Sequence, residues 1–338
     1  MLLVLACTPP GDTSSIVEDT GIPDCDRVHD PNVLMYEDDL STIHTPNEKA
    51  SETLSTTGLA GPLGADVSWM LIRAGEVLTS SDGGCNWDET GGRLSSDGDW
   101  ALYAAGTRVY AFDRTQASGG RSDDGGLSWD KFDPGEPFVG EPVVDPSNPD
   151  RVAGVQSRGV VFSDDAGDTW TVSGALQAGA APAGGAVAPS DFDIAAYTEA
   201  GMVYWTASGG SDWTASVGED WTETLGIAIH PDDAQTWFVQ ADTPDGLEFH
   251  RTTDGGSTWS RIASEGQVTM LGGEPIWPVP GDPTRFATWS YDTEKSGVRL
   301  YQVTAGVGSK SAFVGTYTHL NAVGFTAERW LAAVDAVP

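Results

Sequence analysis

Short apolar runs alternate with polar turns along most of the chain. VAGVQ at 152–156 and GVVF at 159–162 are typical runs, and Gly, Asp, Ser and Pro fill the turns. Such runs, bounded by turn formers, predict β-strands. The longest apolar stretches fall well short of the roughly 18 residues that a membrane-spanning helix needs. One turn recurs. SSDGGCNW at 80–87, SDDGGLSW at 122–129, SDDAGDTW at 163–170 and TTDGGSTW at 252–259 share one pattern, with a degenerate copy, TASGGSDW, at 206–213. The third position falls at 82, 124, 165, 208 and 254, so the copies are 42, 41, 43 and 46 residues apart.

A second marker keeps phase with the first. VVDPSNPDRVAGV begins at Val143, AVAPSDFDIAAY at Ala186, AIHPDDAQTWFV at Ala228 and a looser PVPGDPTRFATW at Pro278. Pro146, Pro189 and Pro231 are 43 and 42 residues apart. Each unit therefore reads strand, proline turn, strand, turn, strand, motif turn, strand. This is the period of a four-stranded propeller blade. The motif supplies five blades, and a sixth without it is expected through 285–291, 298–303 and 311–316. Two strands remain, at 321–325 and 329–334. Half a blade leaves unpaired edges, and 33–37 and 40–44 offer two more strands. The expected fold is all-β: a single propeller of four-stranded antiparallel blades over 31–338. Seven blades closed by both chain ends are expected, with six as the alternative, behind a signal and disordered acidic tether at 1–30.

The motif's residues suit a turn that holds itself. A short carboxylate at Asp82, Asp124, Asp165 or Asp254 can accept from several turn N–H groups, each bond worth about 1 kcal/mol. Gly84, Gly126, Gly167, Gly210 and Gly256 share a slot that calls for positive φ or close approach. Trp87, Trp129, Trp170, Trp213 and Trp259 are expected to bury their rings at the seam with the next unit. Each copy supplies one regularly placed Asp, which does not make a calcium loop, so no metal or cofactor is expected.

These copies resemble Asp-box, or BNR, repeats, found in sialidases, xyloglucan-cleaving glycosidases, sortilin-type receptors and photosystem II assembly factors. The resemblance covers about 60–310. It implies a propeller with the motif on the blade periphery, between the third and fourth strands and away from the central funnel. It does not imply one activity. The sialidase-type arginine signature is missing: Arg261 precedes Ile262 and Ala263, and Arg73, Arg158 and Arg251 receive no role. No paired nucleophile and base, phosphate loop or zinc motif appears. His29, His44, His230, His250 and His319 are scattered, and His230 reads as a turn residue. Catalytic residues: none.

The first residues, MLLVLAC, resemble a bacterial lipoprotein signal, with Val4 and Ala6 at the positions that the signal requires before Cys7. The resemblance implies lipidation of Cys7 and attachment to the cell envelope, at the outer membrane or cell surface. Residues 8–30 are rich in Asp, Thr, Ser, Gly and Pro, a composition suited to a tether. Removing Cys7 leaves Cys25 and Cys85, which could bridge in an oxidising compartment. Lys+Arg 17 against Asp+Glu 50 gives a net charge of −33, which opposes nucleic acid and favours basic or neutral partners. The expected function is a monomeric, non-catalytic, envelope-anchored propeller that binds a protein or glycan. The alternatives are a diverged glycoside hydrolase of the sialidase or xyloglucanase kind and an assembly factor for a membrane complex.

Overall fold

The computed structural model describes residues 33–37, 40, 43–44, 56–63, 68–177, 179–264, 275–315, 317, 319–325 and 329–335. Cys7, Cys25 and the expected tether lie outside them. The described residues form seven four-stranded antiparallel sheets. Blade 1 comprises Thr56–Leu63, Ser68–Arg73, Glu76–Ser80 and Asp88–Arg93; blade 2, Trp100–Ala105, Arg108–Asp113, Gly119–Ser122 and Asp130–Phe132; blade 3, Val143–Val144, Val152–Gln156, Gly159–Ser163 and Thr171–Gly174. Blade 4 is Gly184–Ala188, Asp191–Glu199, Met202–Ala207 and Thr214–Ser216; blade 5, Glu223–His230, Asp233–Thr243, Gly246–Thr252 and Ser260–Ser264; blade 6, Trp277–Pro278, Arg285–Asp292, Gly297–Thr304 and Gly308–Gly315. Blade 7 takes Leu320–Phe325 and Arg329–Val334 from the C-terminal end and Val33–Glu37 and Ile43–His44 from the N-terminal end.

Seven blades closed by two strands from each end replace the six-blade alternative. Val33–Glu37 lies antiparallel to Arg329–Val334, from Val33 opposite Ala333 to Glu37 opposite Arg329. The edge strand is Ile43–His44, and Leu40, expected to begin it, has a φ of 58° and lies outside it. The outer strand of blade 6 begins at Gly308, earlier than expected, because its hairpin closes on Thr304 through the Val307 N–H at 3.1 Å.

Seven hydrophobic clusters fill the seams between neighbouring blades among the described residues. Every blade is sandwiched, so its middle strands are buried on both faces and read as continuous apolar runs. Trp69–Ile72 and Phe238–Val239 are almost wholly buried. The outer strands of blades 1 to 4 are largely exposed, as in Thr214–Ser216. At the seam of blades 5 and 6, Phe238 and Phe249 lie 5.0 and 4.8 Å from Phe286 between ring centroids. Each such fully buried ring contributes about 1.5–3 kcal/mol. The motif tryptophans pack at the seams but only half-buried, a correction to the expectation of core burial. Trp129 joins the cluster of blades 1 and 2, and Trp259 that of blades 4 and 5. Their ring N–H groups need acceptors at the periphery, which keeps part of each indole near the surface.

Candidate functional site

The recurring turns lie at the end of the third strand in blades 1 to 5, on one face of the ring. Asp165 shows the arrangement. Its Oδ1 accepts from the Ser163 hydroxyl and the Thr169 N–H, both at 2.8 Å, and Oδ2 accepts from the Thr169 hydroxyl at 2.6 Å. Ser163 Oγ in turn accepts from the Gly167 N–H at 2.8 Å. Asp82, Asp124 and Asp254 repeat the pattern with Asn86, Ser128 and Thr258. The Thr252 and Thr258 hydroxyls and the Thr258 N–H hold the Asp254 carboxyl down to about 2. Burial alone would raise Asp82, but its bonds to Asn86 and Ser80 outweigh it and lower the pKa.

Gly84, Gly126, Gly167, Gly210 and Gly256 all have φ between 87° and 97°. At Gly84 an added Cβ would meet Leu331 Cδ2 at 2.3 Å, so this turn sits directly on the closing blade. The Trp87, Trp129 and Trp170 ring N–H groups donate to Gly84, Gly126 and Gly167 O at 3.0, 3.2 and 2.9 Å. Trp213 and Trp259 donate instead to Ala175 O and Ser216 Oγ. Cys85, in the first turn, is disulfide-bonded; the chain's other cysteines, Cys7 and Cys25, lie outside the described residues.

None of these turns lines the axial channel. That channel has a volume of about 1000 Å³ and draws its wall from the inner strands of all seven blades. The wall is largely apolar, and much of it is small: Gly61, Ala104, Gly185, Gly226, Ala322 and Gly324 all face it. A Cβ at Gly226 would meet nothing within 4 Å, so this glycine borders open channel space.

The charged residues of the described channel lining, Arg114 and Glu141, lie at the mouth opposite the motif face. Arg114, in the turn between the second and third strands of blade 2, donates from Nη1 to Asp99 Oδ1 at 2.9 Å and to Trp100 O at 3.3 Å. Its Nε donates to Glu141 Oε1 at 3.3 Å, and its Nη2 to Asn321 O of blade 7 at 3.2 Å. One guanidinium thus ties the linkers into blades 2 and 3 to the inner strand of blade 7. Burial in the channel wall, with the Asp99 charge added, pushes the Glu141 carboxyl up to about 7. The Arg114 guanidinium 3.3 Å away, and the 40% exposure of this side chain, pull the other way.

The structure does not bring Arg73, Arg158 and Arg251 together. Arg158 donates to Pro134 O and Gln156 Oε1 at 2.7 Å each, and Arg251 lies within the third strand of blade 5. Among the described lining residues Arg114 is the sole arginine, so the channel presents no arginine triad. His230 is a seam residue: Nδ1 accepts from the Asp232 N–H at 3.2 Å and Nε2 donates to Val279 O of blade 6 at 2.9 Å. No group of three or more His, Cys, Asp or Glu side chains among the described residues could hold a metal ion.

No family model matches the chain, and no curated protein sequence matches it. Solved structures do. YCF48 from Cyanidioschyzon merolae is 16% identical with a TM-score of 0.53, over 89% of this chain and 98% of that one. YCF48 bound to D1 peptide is 14% identical with a TM-score of 0.55, over 85% and 95%. The GH74 xyloglucanase from Xanthomonas campestris is 14% identical with a TM-score of 0.58, over 87% of this chain but 54% of that one. The chain thus spans about half of that enzyme. At these identities the likeness is one of fold.

Proposed function

We propose that this chain is a non-catalytic β-propeller of the bacterial cell envelope, anchored by lipid at Cys7, that holds a protein partner at the channel mouth. The recurring turns act in this reading as structural Asp-box clamps, and a Cys25–Cys85 bridge pins the tether to the first of them. The observation that carries the reading is the channel itself. It is wide, apolar and lined by small residues, and its charged groups are concentrated at one mouth. The structure of YCF48 bound to D1 peptide supports a protein partner over a glycan, since a propeller of similar fold and length is seen there with a peptide bound.

A second reading, a glycoside hydrolase, is favoured by one observation. Asp99 and Glu141 converge on one guanidinium at the channel mouth, and a glycoside hydrolase works with a pair of carboxylates facing one bond. Against it, the Arg114 guanidinium occupies the position between the two carboxylates that a sugar needs. Aryl glycosides and xyloglucan oligosaccharides offered to the purified chain test the choice. The expected result is no turnover above the blank. Turnover that disappears in Glu141→Gln overturns the binding reading, and partition of Cys7→Ser into detergent as readily as the parent chain removes the anchor.

A further inference from the structure

On both faces of the ring most carboxylates are spent on local bonds; on the motif face the Asp193 and Asp212 side chains make no hydrogen bond or ion pair among the described residues. On the motif face, Asp82, Asp124, Asp165 and Asp254 hold the turns. Asp123 and Asp150 pair with Arg108, Asp145 and Asp164 with Arg151, Asp168 with Arg121, and Asp282 with Arg285. On the mouth face, the described linkers between blades and the turns joining second and third strands carry nine carboxylates against Arg114, Arg158 and Lys295. Arg114 and Arg158 are already bonded across the mouth and into its turns. The Glu219, Asp220 and Glu294 side chains make no hydrogen bond or ion pair among the described residues. Among the described lining residues the charged ones are Arg114 and Glu141, and Asp99 adds a second carboxylate to the same guanidinium at the opening of an apolar channel.

We infer that the mouth takes an extended, basic polypeptide segment, a Lys or Arg side chain meeting Glu141 and Asp99 while small apolar neighbours enter the channel. This rests on the channel being the partner site. The chemistry selects the sign of the partner. Arg114 already serves both Asp99 and Glu141, so an incoming anion finds no free cation there, whereas an incoming cation meets two carboxylates that share one guanidinium. The low-dielectric wall strengthens that attraction relative to open water. The small side chains around Gly226 leave room for a backbone.

Fluorescence anisotropy tests this with synthetic ten-residue peptides of one Ala/Val core carrying a central Lys, Arg, Gln or Glu. The Lys and Arg peptides should bind the full chain at least tenfold more tightly than the Glu peptide, an advantage that shrinks as salt is raised from 0.05 to 0.5 M. Glu141→Gln should remove most of that advantage without moving Tm. Gly226→Phe, which puts a ring into open channel space, should abolish binding of every peptide. If Gly226→Phe blocks binding but the Glu or Gln peptide binds as tightly as the Lys peptide, the basic partner is wrong and the channel site stands. If peptides bind equally well to Gly226→Phe, or none binds at all, the channel site itself is wrong.

Discussion

Blades 5 and 6 sit side by side and secure their outer edges by different means. In blade 5 the outer strand Ser260–Ser264 makes four register pairs with its neighbour, and the turn before it is held by Asp254 and closed by Trp259. Blades 1 to 4 are similar, with three register pairs each. In blade 6, which lacks the motif, Gly308–Gly315 makes seven pairs, and a bare hairpin leaves Val307 84% exposed. Between these two blades the clamp goes with the short ladder and the bare hairpin with the long one, whereas blade 7, also without the motif, has an outer strand of two register pairs. In blade 5 a carboxylate and an indole fix the turn that delivers the short outer strand, whereas in blade 6 the outer strand is held along its whole length by backbone hydrogen bonds.

The sharpest way to break this comparison is to add one methyl group to each turn. Gly256 has a φ of 87°, and a Cβ there would meet Trp237 Cζ3 at 2.5 Å and Trp205 Cδ1 at 3.1 Å. Gly306 in blade 6 has a φ of 76° and nothing within 4 Å of its Cβ position. Gly256→Ala should cost about 2 to 4 kcal/mol, combining left-handed strain with overpacking, and Gly306→Ala only about 1 to 2 kcal/mol of strain. Denaturant melts of the two variants measure the difference. Equal losses would mean that the clamped turn is no more tightly seated than the bare hairpin.

The fold was legible because the motif turns repeat in phase with the proline turns, and both lie on one face of the ring. The two leftover strands at the C-terminal end pointed to the pair at Val33 and Ile43 through the need for closure. The mouth was not legible. Arg114 meets its partners at sequence separations of 15, 27 and 207 residues, in linkers and turns that have no period. One signal was available: GLAG at 58–61, AGGAVA at 183–188, LGIA at 225–228 and NAVG at 321–324 place small residues in the inner strands of four blades. That recurrence marks a wide channel, though not the charge at its opening.

An intermediate effect is expected in acid. The folded Asp254 carboxyl lies at about 2, below the ordinary aspartate value of about 3.9. Its contribution is therefore complete above about pH 4 and is lost as the pH falls through about 2. Asp254→Ala should melt below the parent chain at pH 5 and at the same temperature near pH 2. Hydrogen exchange sharpens the test: amides of Ser260–Ser264 should lose protection across that window before those of Gly308–Gly315, whose hairpin has no clamp to protonate. Loss in the opposite order would show that the ladder, not the carboxylate, is the acid-sensitive element.

The smallest effect concerns blade 4, where Ser208 stands in the clamp position. Its Oγ accepts from the Asp212 N–H at 3.1 Å and lies 3.2 Å from Thr206 Oγ1. In the other copies the residue four places on also donates from its side chain, as Asn86, Ser128, Thr169 and Thr258 do. Asp212 is a carboxylate and has no proton to give, so an aspartate at 208 would face a like charge instead of a donor. Ser208→Asp alone should leave stability unchanged or lower it slightly, and Asp212→Thr alone should change little. Together they should gain about 1 kcal/mol, the value of the hydroxyl-to-carboxylate bond that neither change can form by itself. A thermodynamic cycle over the four proteins reads this as a coupling energy. Simple additivity would mean that the donor four places on is a passenger of the motif and that the backbone N–H does the clamping alone.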